Sequence, residues 1–63
     1  MRLIRLKDVM QQTGLARATI YKYMNEGCFP LSVTLGGRSV AWVEKEVNDW
    51  ILARVKARDA EVL

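Results

Sequence analysis

Residues 6–27 read LKDVMQQTGLARATIYKYMNEG and decide the fold of this chain. In the first part of this stretch, Leu6, Val9 and Met10 recur at helical spacing and predict a short helix. Gly14 follows and suits the left-handed position at which helices commonly end. A second helix is predicted after this glycine, so the stretch has the spacing of a helix-turn-helix. A generic pair of antiparallel helices has the same spacing.

The predicted helix-turn-helix covers about residues 6–26. Its first helix is expected over residues 6–12, and its second runs from residue 16 to a closing glycine at residue 27. Three apolar residues are expected to be buried and to fix a steep angle between the helices: Val9, Leu15 and Ile20.

The second helix has two different faces. At ~100° per residue, an apolar stripe is predicted to face the core, and it consists of Ala16, Ile20, Tyr23 and Met24. The outward arc is more aromatic and more basic than an ordinary solvated face, and it consists of Arg17, Ala18, Tyr21, Lys22 and Asn25. This arc is the first candidate for a binding surface.

Residues 31–42 predict a β-hairpin. They alternate in polarity around Gly36-Gly37, and glycine accepts the positive φ angles that both residues of a type I′ turn require. With these glycines as the turn, the expected cross-strand partners are Leu31 with Trp42, Ser32 with Ala41, Val33 with Val40, and Thr34 with Ser39. The tip of this hairpin then presents Arg38 and Ser39.

The remaining segments complete a mainly α fold with a small β-hairpin. A last helix is expected over about residues 44–58, with Glu44 and Glu46 in its first turn, where acids favour the helix dipole. Its inward residues are expected to be Val47, Trp50, Ile51 and Val55. Residues 3–5 are a candidate strand. A helix-turn-helix, a two-stranded wing and a C-terminal helix together describe a winged helix-turn-helix.

Composition limits the number of domains and the possible chemistry. The 63 residues suffice for one domain, expected over residues 1–63. The chain has no histidine, a single cysteine and no paired carboxylates in an apolar setting, so no catalytic residue, metal site or cofactor is predicted. No apolar stretch approaches the ~20 residues of a membrane span, so a cytoplasmic protein without membrane contact is expected.

Positive charge is concentrated in the first two-thirds of the chain. The formal net charge is +3. Residues 1–41 contain the acids Asp8 and Glu26 against the bases Arg2, Arg5, Lys7, Arg17, Lys22 and Arg38. Residues 42–63 contain more acids than bases. This distribution indicates an anionic partner for the first part of the chain.

The outward arc of the second helix carries side chains suited to double-stranded DNA. Arg17 can form paired hydrogen bonds to guanine in the major groove or bind a phosphate, and Lys22 can reach the backbone. Tyr21 and Asn25 can add contacts to base edges. The alternative for Arg17 and Lys22 is a solvated helix face, and for Tyr21 it is half-buried packing at the edge of the core.

The hairpin tip supplies a second set of candidate DNA contacts. Arg38 can enter a narrow minor groove or pair with phosphate, while the backbone amide of Gly37 approaches closely. Ser39 adds a hydroxyl beside them. The alternative for Arg38 is a turn arginine that serves solubility.

Several short motifs occur in a specific order along the chain: Leu3–Val9, Thr13–Tyr21, Glu26–Pro30, Leu35–Arg38, and Trp42 with Glu46-Val47 and Trp50. Together they resemble the AlpA family of prophage regulators. The resemblance covers about residues 3–52 and implies a winged helix-turn-helix related in fold to excisionases and MerR-type regulators. It also implies that the second helix is the recognition helix and that Gly36–Arg38 form the wing. Trp42 and Trp50 are then core residues that join the wing to the last helix.

The resemblance implies a regulatory function and no enzymatic activity. Members of this group switch prophage genes on, or bend attachment-site DNA to help an integrase excise the element. One position departs from the family, in which serine is common where this chain has Ala16. Alanine cannot cap the second helix, which costs about 1 kcal/mol and removes a phosphate-contacting hydroxyl. Ala18 and Thr19, in the same helical turn, complete the expected set of DNA contacts.

The small size of the chain predicts that copies of it act together on DNA, and two other kinds of partner remain to be considered. A monomer of this size makes few phosphate contacts, so cooperative binding or self-association on DNA through the C-terminal segment is expected. The main alternative to specific DNA binding is a protein-interaction module that binds an integrase or another regulator. RNA binding is disfavoured because no strand face carries an aromatic pair for base stacking.

Overall fold

The computed structural model describes the backbone of residues 1–62 and the side chains of residues 1–61. Its elements are β1 (Leu3–Ile4), α1 (Leu6–Thr13), α2 (Arg17–Asn25), β2 (Val33–Gly36), β3 (Ser39–Val43) and α3 (Glu44–Val62). These helices and the antiparallel hairpin confirm a mainly α, winged helix-turn-helix fold. Residue 63, at the end of the predicted domain, lies outside the described residues.

α1 has well-defined ends. At its start, the Arg5 amide donates a hydrogen bond to the Asp8 carboxylate at 3.3 Å. At its end, Gly14 takes the predicted left-handed conformation, with a φ of 74°, and its amide donates to the Met10 carbonyl at 2.8 Å. α1 therefore ends one residue later than predicted, at Thr13.

α2 is shorter than predicted. It begins at Arg17, with Ala16 as its N-cap, and ends at Asn25. The chain then takes a left-handed conformation at Gly27, with a φ of 74°. The Cys28 amide donates to the Tyr23 carbonyl at 2.8 Å, which closes the end of the helix.

The hairpin belongs to a three-stranded antiparallel sheet in the order β1-β3-β2. The predicted strand near the N-terminus is confirmed as β1, which pairs Leu3 with Val43 and Ile4 with Trp42. β3 is thus the central strand, and it leads directly into α3. The wing, which consists of β2 and β3, is therefore anchored on its β3 side by pairing with β1.

The predicted register of the hairpin is wrong by one residue. The observed partners are Val33 with Ala41, Thr34 with Val40, and Gly36 with Ser39, with an irregularity between Thr34 and Gly36. The turn consists of residues 37 and 38, so only one of its two residues is a glycine and has a positive φ. A bulge in β2 absorbs the extra residue, and the type I′ turn predicted for Gly36-Gly37 does not form.

The core is one cluster that draws on every element except β2. Its members are Ile4, Val9, Ile20, Phe29, Trp42 and Val47, each at most 5% exposed. Half-buried Trp50 and Ile51 pack against the cluster, in agreement with their predicted inward positions. Phe29 was not among the predicted core residues. It lies after α2 and packs edge-to-face on Trp50, with ring centroids 4.9 Å apart.

Three expected core residues are less buried than predicted. Leu15 is half-buried and packs against the cluster from the turn. Ala16 is exposed because it precedes α2 and does not belong to its apolar stripe. Val55 is 38% exposed because α3 has passed the end of the core at that point.

α3 is longer than the predicted helix, since it continues past residue 58 to Val62. All described side chains from residue 52 to residue 61 are exposed. The molecule is correspondingly elongated, with extents of 47 × 24 × 19 Å. Among residues 1–62, none of the helices combines the length and the apolar character needed to cross a membrane.

Candidate nucleic-acid interface

A side chain, as well as a glycine, holds the turn between α1 and α2. The Thr13 hydroxyl donates a hydrogen bond to the Val9 carbonyl at 2.7 Å and accepts one from the Leu15 amide at 3.2 Å. The turn was predicted from Gly14 alone, and this role of Thr13 was not predicted. Threonine often bonds to neighbouring backbone groups in this way, and that tendency is the signal in the sequence. The two bonds fix the start of α2 relative to α1.

The first turn of α2 has no side-chain cap. Ala16 occupies the N-cap position and makes no side-chain hydrogen bond, as its chemistry predicts. The amides of this turn lie at the positive end of the helix dipole, and no residue of α1 or α2 caps them through a side chain. An external anion such as a phosphate oxygen can accept hydrogen bonds from these amides.

The candidate contact residues of α2 differ in exposure. Arg17, Ala18, Lys22 and Asn25 are exposed, whereas Thr19 and Tyr21 are half-buried. Within the described part of the chain, neither Arg17 nor Lys22 takes part in a salt bridge. Both cations are therefore available to an external anion.

Tyr21 lies between the exposed face of α2 and the core. The Arg17 guanidinium carbon is 5.8 Å from the centroid of the Tyr21 ring, which is within the range of a cation–π contact. The same ring packs edge-to-face on Trp42, with centroids 6.3 Å apart and an interplanar angle of 69°. The structure thus joins Arg17 to β3 through Tyr21.

The wing tip places the other three candidates at the surface. Gly37, Arg38 and Ser39 are all exposed. Gly37 has a φ of 52°, a conformation that suits glycine. Arg38 occupies the turn, and the salt bridges of the described residues do not include it. Ser39 pairs with Gly36 at the start of β3, the strand that also carries Trp42.

Salt bridges partly neutralise the charges of α3. Glu44 lies 3.6 Å from Arg2, Asp49 lies 2.8 Å from Lys45, and Arg58 lies 2.7 Å from Asp59. The hydrogen bond and the charge of Asp49 raise the pKa of Lys45 above its ordinary value. Positive charge is concentrated in residues 1–41, as the sequence shows. Within that part, the cations of α2 and the wing tip (Arg17, Lys22 and Arg38) form no salt bridge with the described residues.

A separate cavity of about 490 Å³ lies beside the core. It is lined by residues of α1, α2 and α3 together with the turn and the loop after α2, including Tyr23, Cys28, Trp50 and Arg54. None of the candidate DNA contacts lines it. Cys28 is an exposed free thiol, and the described residues contain no group of histidine, cysteine and acidic side chains that could hold a metal.

Comparison with known proteins assigns the chain to a family. The sequence model of the family described as Prophage CP4-57 regulatory protein (AlpA) matches residues 2–55. The chain belongs to the AlpA family. The AlpA match includes α1, α2, the wing and the first part of α3, and it confirms the resemblance drawn from the short motifs.

Two relatives of known sequence are similar over most of this chain. The chain is 43% identical over 61 residues to the DNA-binding transcriptional activator AlpA of Escherichia coli (strain K12), and the match covers 87% of each chain. It is 44% identical over 57 residues to the uncharacterized protein ORF88 of Enterobacteria phage P4. That match covers 90% of this chain and 65% of the phage protein, so the chain spans slightly less than two-thirds of this relative.

Proposed function

We propose that this chain binds double-stranded DNA in a sequence-specific manner and acts as a phage-type transcription regulator, an excision factor, or both. The observation that carries the proposal is the exposed, unpaired basic surface of α2 on a helix-turn-helix scaffold. AlpA membership and the relative named as a DNA-binding transcriptional activator support it. In this proposal the chain is not an enzyme, and it acts in the cytoplasm, where bacterial DNA lies.

In this proposal, α2 enters the major groove. Its contact surface consists of Arg17, Ala18, Thr19, Tyr21, Lys22 and Asn25. Arg17 is the residue best suited to a guanine edge, because a guanidinium can form two parallel hydrogen bonds to it. Lys22, five residues later on the exposed side, pairs with backbone phosphate. The uncapped amides at the start of α2 add a phosphate contact.

The wing supplies the second contact of the proposed complex. Arg38 enters the adjacent minor groove or pairs with a phosphate, because it sits at the tip of a narrow two-stranded turn. The amide of Gly37 and the hydroxyl of Ser39 lie beside it and donate to the same phosphate backbone. Phosphate pairing by the wing strengthens binding to every sequence, whereas base contacts by α2 select the site.

Fluorescence anisotropy with labelled duplexes tests this function. The wild type, Arg17→Ala and Arg38→Ala are titrated against promoter and attachment-site DNA of the element that encodes the chain, and against a random duplex. We expect the wild type to prefer the element's DNA, with a log-log salt slope of about −3 to −5. Both substitutions should weaken binding, and Arg17→Ala should also reduce the preference for the element's DNA.

The matched control is Arg58→Ala. It removes one positive charge, as the other two variants do, but from an exposed position of α3 that pairs with Asp59. We expect its affinity for a duplex with a single site to stay within about twofold of the wild type. Equal, weak binding of the wild type to every duplex would contradict the proposed function.

A protein-interaction module is the second candidate function. Exposed apolar side chains of α3, with Leu52 54% exposed and Val55 38% exposed, favour it as a surface for an integrase or another regulator. The two functions make opposite predictions for the basic residues. A partner-binding module still binds its protein partner when Arg17 and Arg38 are replaced, and it loses that binding when Leu52 is replaced.

Self-association on DNA completes the proposal. A single copy offers few cations to the phosphates, so neighbouring copies that contact one another bind more tightly than isolated ones. The exposed half of α3 is the surface we assign to this contact. Sedimentation of complexes with one site and with several sites measures it. One monomer on each isolated site, without cooperativity on longer DNA, would exclude self-association.

A further inference from the structure

The Tyr21 ring contacts two residues with different functions. Arg17, one turn earlier on α2, holds its guanidinium carbon 5.8 Å from the ring centroid. Trp42, on β3, meets the ring edge-to-face at 6.3 Å. Tyr21 therefore lies between an exposed cation and the central strand of the sheet.

Trp42 is a fixed support for this contact. It is fully buried, and its strand is paired on both sides, with Ile4 of β1 as its own cross-strand partner. Its Nε1–H has no hydrogen-bond partner among the described residues. A buried donor without a partner is costly, so packing decides the position of this ring. The buried Trp42 ring thus gives the Tyr21 ring a rigid partner to pack against.

The Arg17 side chain, by contrast, is less restricted than the Trp42 ring. It is exposed, and it forms no salt bridge within the described part of the chain. An arginine side chain loses much rotamer entropy when one conformation is fixed. A ring beneath the guanidinium reduces that loss on binding, because it restricts the side chain before DNA arrives.

We infer that Tyr21 is a positioning residue, whose ring, and not its hydroxyl, presents Arg17 to DNA and fixes α2 against β3. β3 starts directly after the wing turn, so the same contact sets the orientation of α2 relative to the wing. This inference rests on the proposed DNA binding. It assigns to Tyr21 an action through Arg17, in place of the direct contact with DNA that the sequence pattern predicts and that the contact surface proposed above includes.

A double-mutant cycle tests the inference. Dissociation constants for the preferred duplex are measured for the wild type, Arg17→Ala, Tyr21→Leu and the double variant. We expect Tyr21→Leu to weaken binding about two- to fivefold, the size of an exposed cation–π contact. In the Arg17→Ala background the same substitution should weaken binding clearly less, because only the contact of α2 with β3 is then left to lose. Tyr21→Phe, which keeps the ring, should bind within about twofold of the wild type.

Tyr23→Leu is the matched control. Tyr23 is the second tyrosine of α2, is also half-buried, and lines the cavity beside the core, away from the candidate contacts. Its effect on binding should add to that of Arg17→Ala. Circular dichroism and urea unfolding confirm that each variant is folded at the concentrations used. Tyr21→Met replaces Tyr21→Leu if the leucine variant does not fold.

The outcomes separate this inference from the proposed function. Additive losses for Arg17 and Tyr21, with the wild type still binding DNA, overturn the positioning role alone. A loss in Tyr21→Phe as large as in Tyr21→Leu also overturns it, because the hydroxyl is then the contact. A wild type that binds no duplex overturns the DNA-binding function and this inference with it.

Discussion

Ala16 limits the stability of α2 because it cannot accept a hydrogen bond from the first turn of the helix. We expect Ala16→Ser to raise the free energy of unfolding by about 1 kcal/mol, since a serine oxygen can accept from those amides. Urea unfolding followed by circular dichroism measures the change. Ala18→Ser is the control, because residue 18 lies inside α2, where serine gives no cap and slightly lowers helix stability.

Ala16→Ser also informs the contact with DNA. If the added hydroxyl bonds to the phosphate backbone, affinity rises for every sequence tested. A variant that is less stable than the wild type would show that the extended backbone at Ala16 does not bring a side-chain oxygen within reach of the helix amides.

Thr13 is a second residue whose side chain supports the interface from a distance. Thr13→Val keeps the shape of the side chain but removes both hydrogen bonds of the hydroxyl. We expect a loss of about 1–3 kcal/mol in unfolding free energy, because a backbone amide in the turn loses its partner. Thr34→Val, at an exposed position of β2, should change stability by less than about 0.5 kcal/mol. Equal effects of the two substitutions would contradict this account of the turn.

At the scale of elements, helices were easier to predict than the hairpin. Apolar spacing and Gly14 placed α1 within one residue, because a 3.6-residue period and a left-handed stop are both local signals. The hairpin register depends on which two of residues 36–38 form the turn. Alternation in residues 31–42 fits more than one register once a bulge is allowed, so the sequence alone did not determine it.

The exposed end of α3 is predicted to be dispensable for stability and for binding to a single site. Deletion of residues 56–63 removes Lys56, Arg58, Asp59 and Glu61, so the formal net charge stays at +3. The side chains described in this segment are all exposed, and the family match stops at residue 55. We therefore expect the midpoint of thermal unfolding and the affinity for a single site to change little.

Cooperativity is the property that this deletion should abolish. Titration of a duplex with several sites, compared with a duplex that has one, measures it for both lengths of the chain. Equal cooperativity in the shortened chain would show that residues 56–63 do not mediate self-association and that another surface does.

For the whole molecule, the pattern of titratable groups predicts how stability depends on pH. The chain has no histidine, so the unfolding free energy should be nearly constant between about pH 5.5 and pH 7. Asp49 raises the pKa of Lys45, so this pair stabilises the fold while Lys45 is charged. Its contribution is present below about pH 10.5 and disappears as the pH rises through the folded-state pKa.

Urea unfolding over a range of pH values checks this sign. The stability lost between about pH 9 and pH 12 should be smaller in Lys45→Met than in the wild type, because the variant has no such ammonium group to deprotonate. A steep change between about pH 5.5 and pH 7 would contradict the assignment, since no side chain in the sequence ordinarily titrates there.

The candidate site was predictable as a set of residues but not as a connected structure. Helical spacing placed Arg17, Lys22 and Asn25 on one exposed arc, because local geometry determines which face a helical residue occupies. The contact of Tyr21 with Trp42 joins residues that are far apart in sequence. It depends on how α2 packs against β3, and no local pattern encodes that packing.

α3 runs as one continuous helix from buried Val47 to its exposed half. An α-helix rises ~1.5 Å and turns ~100° per residue. A domain fused to the exposed end through a helical linker would therefore have a defined distance and angular phase relative to α2 and the wing. Adding one linker residue rotates such a domain by about 100°, whereas adding seven moves it ~10 Å outward in nearly its original orientation.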